Sequence, residues 1–125
     1  MKKYTHIIVA GGRDFNDYGL LEETLKRHLP DLRLIISGGA VGADSLSVKY
    51  AVERKIDYYV HYPDWKRYGR AAGVKRNRKM VEALKREVGC NGLLVAFWNG
   101  KSRGTANIIA LAKKEGLDVE IVYYF

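Results

Sequence analysis

Cys90 is the only cysteine in the 125 residues, so no intrachain disulfide can form and a reducing compartment is expected. No apolar stretch reaches membrane-spanning length. Met1-Lys2-Lys3-Tyr4-Thr5-His6 runs straight into a strand-like segment with no cleavable leader, and the expectation is a cytoplasmic protein. No His/Cys set has metal-ligand spacing, so neither a metal nor a cofactor is expected, and His6, His28 and His61 read as structural. No Ser-His-Asp arrangement can be built from residue order. Repeats, low-complexity tracts and interdomain linkers are also missing, which leaves one domain over residues 1–125. The last absence is local: no acidic residue falls between Lys66 and Lys79.

That segment holds Lys66, Arg67, Arg70, Lys75, Arg76, Arg78 and Lys79, a charge of +7 out of the chain's +8, so the remainder is close to neutral. Such a cluster favours a polyanionic partner, a nucleotide, a nucleic acid or a phosphorylated metabolite. Its plainer reading is a solvated helix face. Apolar residues make up 47% of the chain, enough for a packed core and too many for a disordered one.

What is plentiful is glycine after strand-like runs. The apolar run Leu32–Ile36 leads into Ser37-Gly38-Gly39-Ala40-Val41-Gly42-Ala43-Asp44, followed by a helix-like stretch from Ser45 to Arg54. In that helix Leu46, Val48, Tyr50, Ala51 and Val52 can form a wide buried face. Strand, glycine turn and helix in this order point backbone N–H groups at an anion, or else simply connect two elements tightly. Two further turns have the same setting: Gly11-Gly12-Arg13-Asp14-Phe15 after Thr5–Ala10, and Trp98 to Thr105 after Leu93–Phe97.

Helices are expected from about Asp17 to His28, Ser45 to Arg54, Val74 to Glu87 and Ala106 to Glu115; strands at Thr5–Ala10, Leu32–Ser37, Ile56–His61, Leu93–Phe97 and Asp118–Tyr123. Asp64–Gly73 is the longest connection and reads as a functional loop. Alternating strands and helices predict an α/β, Rossmann-like three-layer domain. Its sheet is mostly parallel, of about five strands, with helices on both faces. In such sheets all three glycine turns emerge at the carboxyl edge, where ligands bind.

Arg13 suits bidentate contact with phosphate or base, and Asp14 either accepts from a ribose hydroxyl or pairs with Arg13. Phe15 reads as core. Asp44, at the start of a helix, would repel a phosphate and is assigned to a sugar hydroxyl or to capping. Ser37 offers a hydroxyl to ligand or closes its strand. Arg76 and Asn77 diverge by about 100° on a helix, so one faces ligand while the other supports a loop. Gly100, Lys101, Ser102, Arg103, Gly104 and Thr105 could hold phosphate at a helix start, or form a solvated turn capped by Thr105. Lys101-Ser102 matches the end of a Walker-type motif without its upstream glycines, so ATP hydrolysis is not expected. Trp65, Tyr68 and Trp98 either stack on a base or pack as core and lid.

On these residues the chain resembles the SLOG superfamily, the Rossmann-like group that includes the LOG phosphoribohydrolases and DNA-processing protein A, and within it the YspA-like (cpYpsA-related) branch. The matching stretches are Gly11 to Phe15, Ser37 to Ala40 with Gly42 to Asp44, Asp64-Trp65, Ala72-Gly73 with Arg76-Asn77, and Ala96-Phe97 through Gly104-Thr105. The resemblance implies a pocket for nucleotides or nucleotide-derived molecules, a role in sensing or processing them, a homodimer, and an association with phage or mobile-element biology. LOG enzymes carry a catalytic Glu three residues after the Thr of their glycine-threonine loop; Ile108 stands there in this chain. Three functions follow. The first is binding of a nucleotide or ADP-ribose-like ligand for sensing or signalling, with ligand residues Gly11, Gly12, Arg13, Asp14, Ser37, Gly38, Gly39, Ala40, Gly42, Asp44, Arg76, Asn77 and Gly100 to Thr105. The second is hydrolysis of a nucleotide's N-glycosidic or phosphate ester bond, with Asp14 and Asp44 as acid or base. The third is a nucleic-acid-binding module.

Overall fold

The computed structural model describes residues 3–125; Met1 and Lys2, part of the opening segment read from sequence, lie outside the described residues. Five strands, β1 (His6–Gly11), β2 (Leu34–Ser37), β3 (Asp57–Val60), β4 (Leu93–Trp98) and β5 (Asp118–Tyr123), form one sheet in the order β3-β2-β1-β4-β5. Every pairing is parallel. The α/β, three-layer Rossmann-like arrangement expected from the alternation is what forms.

Parallel strands need crossovers, and the helices that supply them cover both faces. Along β1, Ile7 and Val9 point to one face and Ile8 and Ala10 to the other; along β4, Leu93, Val95 and Phe97 oppose Leu94 and Ala96. The first set packs against α1 (Tyr18–Lys26) and α2 (Ala43–Arg54) through Leu21, Leu25, Tyr50 and Ala51. The second packs against α4 (Ala72–Val88) and α5 (Arg103–Lys114) through Met80, Val81, Leu84, Ile108, Ile109 and Ala112. Strands covered on both faces must be apolar on both, which is why β1 and β4 read as unbroken hydrophobic runs.

The chain winds from β1 outward to β3, then crosses back to β4 on the other side of β1. Strand order therefore reverses between β1 and β4, and the turns leaving those two strands flank the crevice this creates.

Several expected boundaries shift for local reasons. The first helix stops at Lys26, and His28 instead turns on a backbone bond to Leu25. β2 starts at Leu34, and α2 starts at Ala43 with Gly42 as its cap. On α2, Val52 is exposed, so the buried stripe is Ala43, Asp44, Ser47, Tyr50 and Ala51. Asp64–Gly73 is not an open loop. Asp64 accepts from the Arg67 N–H at 3.1 Å, capping a short helix α3 (Trp65–Tyr68), and a 3-10 turn then leads into α4. α5 begins at Arg103 and not Ala106, because Ser102 caps it.

Candidate functional site

The turns after β1, β2 and β4 meet at the carboxyl edge of the sheet and are laced together by their own backbones. The Gly12 N–H donates to the Phe97 carbonyl at 3.2 Å, and the Ala43 N–H donates to the Gly12 carbonyl at 3.4 Å. The start of α4 joins the remaining pair. The Arg76 guanidinium donates to the Gly38 carbonyl, while its Nε donates to Asn77 Oδ1 at 2.9 Å. Asn77 Nδ2 donates to the Gly104 carbonyl at 3.2 Å and to Asn107 Oδ1 at 3.0 Å. Arg76 thus serves the second turn and Asn77 the third.

Between them lies an open cleft of about 740 Å³. Small-molecule sites run from roughly 300 to 1,000 Å³, so the space suits a nucleotide. Gly11, Gly12, Arg13, Asp14, Gly39, Ala40, Asp44, Arg76, Asn77, Ser102, Gly104 and Thr105 all line it. Ser37, Gly38, Gly42, Gly100, Lys101 and Arg103 do not. Ser37 is fully buried; its hydroxyl donates to the Asp44 carbonyl at 3.1 Å and accepts from the Gly39 N–H at 3.3 Å, closing the strand end.

The second turn is not the open anion cradle that its glycines suggest. The Gly39 N–H goes to Ser37 and the Ala40 N–H to Asp44 Oδ2 at 3.2 Å, so a carboxylate of the protein already sits in that turn. The first-turn amides of Arg103 and Gly104 in α5 have no intrahelical partner, and Gly104 faces open space on the cleft wall. Asn99 shapes this third turn by accepting from the N–H groups of Lys101 and Ser102 at 2.8 and 2.9 Å. Ser102 Oγ, not Thr105, caps the helix by accepting from the Thr105 N–H at 3.4 Å; Thr105 itself is buried.

The two carboxylates of the cleft differ in environment. Asp14 is exposed and accepts from the Tyr124 hydroxyl at 2.6 Å, and no ion pair joins it to Arg13 among the described residues. Burial, with that bond, pushes the Tyr124 phenol up to about 12. Asp44 is only 5% exposed. Burial pushes its carboxyl up to about 6, against the opposing pull of the Ala40 N–H and the positive charges of Arg76 and Arg13. Burial lowers the Arg76 pKa, and Asp44 works against that shift. Phe15 is core, stacked on Phe97 at 4.6 Å.

Tyr62, Pro63, Val41, Asn99 and Met80, not singled out from sequence as ligand residues, also line the wall, with Ala10 and Gly73; Trp65, which the sequence leaves as either a stacking or a packing residue, lies on it too. Tyr62, Trp65 and Val41 are 73%, 50% and 65% exposed and add apolar surface beside the polar groups of the cleft. Tyr62-Pro63 lies one residue beyond β3, and its position at the carboxyl edge was the available signal. Tyr68 and Trp98 do not line the cleft. Trp98 donates instead to the Ser102 carbonyl at 3.1 Å and packs beside Tyr123. Ile108, at the position of the LOG catalytic Glu, is buried in the core beneath α5. No helix among the described residues is long and apolar enough to cross a membrane.

Residues 5–68 match the family described as YspA, cpYpsA-related SLOG. The Gene 61 protein of Mycobacterium phage D29 is 30% identical, with 90% of this chain and 92% of the phage protein covered. No solved structure matches the chain. The family match takes in the turns after β1 and β2, and the phage protein extends the likeness over nearly the whole fold, so the chain belongs to the YspA, cpYpsA-related SLOG family.

Proposed function

We propose that the cleft binds a nucleotide or a nucleotide-derived, ADP-ribose-like ligand, for sensing or signalling. The observation that carries this reading is the meeting of three turns and the start of α4 around one open cleft at the strand-order reversal. Phosphate is assigned to the start of α5, where first-turn amides without an intrahelical partner and the helix dipole favour an anion. Arg13 and the remaining guanidinium donors of Arg76 supply charge from the facing wall. Asp44 and Asp14 accept sugar hydroxyls, and Tyr62 and Trp65 offer faces to the base. Family membership points to nucleotide-related ligands, and the phage relative suits a role in phage or mobile-element biology.

One observation favours a second reading, cleavage of an N-glycosidic or phosphate ester bond. Asp44, with its carboxyl raised to about 6, can exchange a proton near neutral pH as a general acid or base does. Incubating the protein with a panel of mononucleotides and dinucleotides, with calorimetry and chromatography run in parallel, separates the two. Binding without released base or phosphate supports the first, and turnover supports the second. No binding by any member sinks both.

Arg76→Ala is expected to weaken the nucleotide so identified by roughly 10- to 100-fold, the loss of a charge-assisted contact worth on the order of 1.5–3 kcal/mol. Because Arg76 also holds the Gly38 carbonyl, thermal unfolding is measured alongside. Unchanged affinity in a folded variant removes Arg76 from the site.

A further inference from the structure

A nucleotide in the cleft leaves most of the protein's excess charge unused. Lys66, Arg67, Arg70, Lys75, Arg78 and Lys79 are all exposed. The described ion pairs involve Arg27, His28 and Arg54, and none of these six. They are not scattered. Lys66 and Arg67 lie on α3, Arg70 on the 3-10 turn that follows, and the other three on α4, the two helices whose Trp65, Gly73 and Arg76 line the cleft.

Helix geometry sets how these charges lie relative to the cleft. At about 100° per residue, Gly73, Arg76, Asn77 and Met80 share one side of α4; Lys75 and Arg78 fall on the opposite side, and Lys79 lies on the flank about 60° from Arg76. A helix is roughly 10 Å across, so one mononucleotide cannot touch both. A longer polyanion can. Aromatic faces also alternate with the cations. The Tyr68 ring has Arg67 at 5.0 Å and Lys75 at 4.8 Å, and the exposed rings of Trp65, on α3, and Tyr62, just before it, line the cleft. Phosphate-tracking cations with ring faces between them are the means by which proteins hold unpaired strands, because every base has a stackable face. A duplex keeps its bases stacked inside and offers only its phosphates.

We propose that the α3–α4 face is a binding track for single-stranded nucleic acid whose terminal nucleotide enters the cleft. The track extends the proposed function by naming a polymeric ligand, and its last clause rests on that reading. Arg13, Arg76 and the α5 start hold the end of the strand, and the six outward cations neutralise the phosphates that follow.

The test is fluorescence anisotropy with ~12-nucleotide oligo(dT) and oligo(rU), labelled at one end, beside a duplex of equal length. Each phosphate contact on a single strand contributes about −0.7 to the slope of log affinity against log salt, so a footprint of three to six contacts gives roughly −2 to −4. Both the DNA and the RNA strand are expected to bind with such a slope, and the duplex several-fold more weakly. A Lys66→Glu/Arg67→Glu/Arg70→Glu variant touches only exposed side chains outside the cleft. It is expected to lose at least about tenfold in oligonucleotide affinity while keeping its affinity for a mononucleotide and its thermal unfolding temperature. Lys75→Glu/Arg78→Glu/Lys79→Glu repeats the test on α4. Oligonucleotide affinity unchanged in both variants, or no binding at low salt while a mononucleotide still binds, overturns the track and leaves the cleft assignment standing. Capture by vesicles of anionic lipid with no oligonucleotide binding overturns it in favour of a membrane surface. Oligonucleotide binding that free mononucleotide fails to weaken keeps the track and removes the terminal nucleotide from the cleft.

Discussion

Gly42→Ala is expected to unfold the protein or bring it close to unfolding. Gly42 has φ 83° and ψ −131°, a combination that a residue with a Cβ rarely adopts. A Cβ there would lie 2.3 Å from the Gly12 carbonyl oxygen and 2.7 Å from that of Arg13. Those atoms are backbone, so no rotamer change relieves the contact, and the first two turns would have to separate. Their separation would break the Ala43-to-Gly12 bond and lift the start of α2 off the sheet. Strain together with lost packing costs on the order of 3–5 kcal/mol, a large part of a small domain's total stability of roughly 5–15 kcal/mol. Thermal unfolding should fall by roughly 10–25 °C. Gly104→Ala is the control. Nothing lies within 4 Å of a Cβ there, so stability should hold, while the methyl group intrudes on the proposed phosphate position and weakens nucleotide binding. Equal unfolding temperatures for Gly42→Ala and the unsubstituted protein would mean that the two turns do not touch.

The architecture was legible because each level of the sequence pointed the same way. Unbroken apolar runs at Ile7 to Ala10 and Leu93 to Phe97 are what centrally placed parallel strands require, and they alternate with amphipathic stretches long enough to cross back. β5 was read with its exact bounds, since Gly116 and the chain's alternating pattern enclose it. Helix starts were harder to place. α5 opens three residues early because the cap is Ser102, and Ser102 was seen as a ligand group while Thr105 was taken for the cap. The Asp64 cap was missed for the same reason: one carboxylate converts a polar, glycine-containing stretch from loop into helix, and periodicity over four residues is too short to register.

At the cleft, the convergence of the glycine turns could be foreseen from chain order alone. Which amides were free could not. That depended on Ser37 and Asp44 folding back onto Gly39 and Ala40, contacts between side chain and turn that leave no periodic trace. Tyr124 pinning Asp14 was equally hidden, because it joins residues 110 apart. The resemblance to the SLOG superfamily identified the matching stretches but not this division of labour within them.

Asp44→Asn should act on stability and on binding in opposite directions. Burial pushes the carboxyl up to about 6 in the folded protein from its ordinary 3.8, so the folded state binds the proton more tightly than the unfolded chain. Stability from this group is fully present below about 3.8 and is lost as pH rises through about 6. At 1.36 kcal/mol per pK unit, the loss at neutral pH is on the order of 3 kcal/mol. Asn carries no charge to desolvate, and its amide oxygen can still accept from the Ala40 N–H. Urea unfolding at acid and neutral pH should therefore show a steeper decline for the unsubstituted protein, with Asp44→Asn the more stable of the two at neutral pH by up to that amount. Parallel pH profiles would mean that Asp44 is not held in a dry environment. Binding should move the other way if Asp44 accepts sugar hydroxyls as proposed, because the amide offers one acceptor oxygen where the carboxylate offers two. A folded protein that gains stability and loses nucleotide affinity on the same substitution would explain why a carboxylate is kept, at a cost, beneath the Arg76 guanidinium: the fold does not need its charge, but the site does.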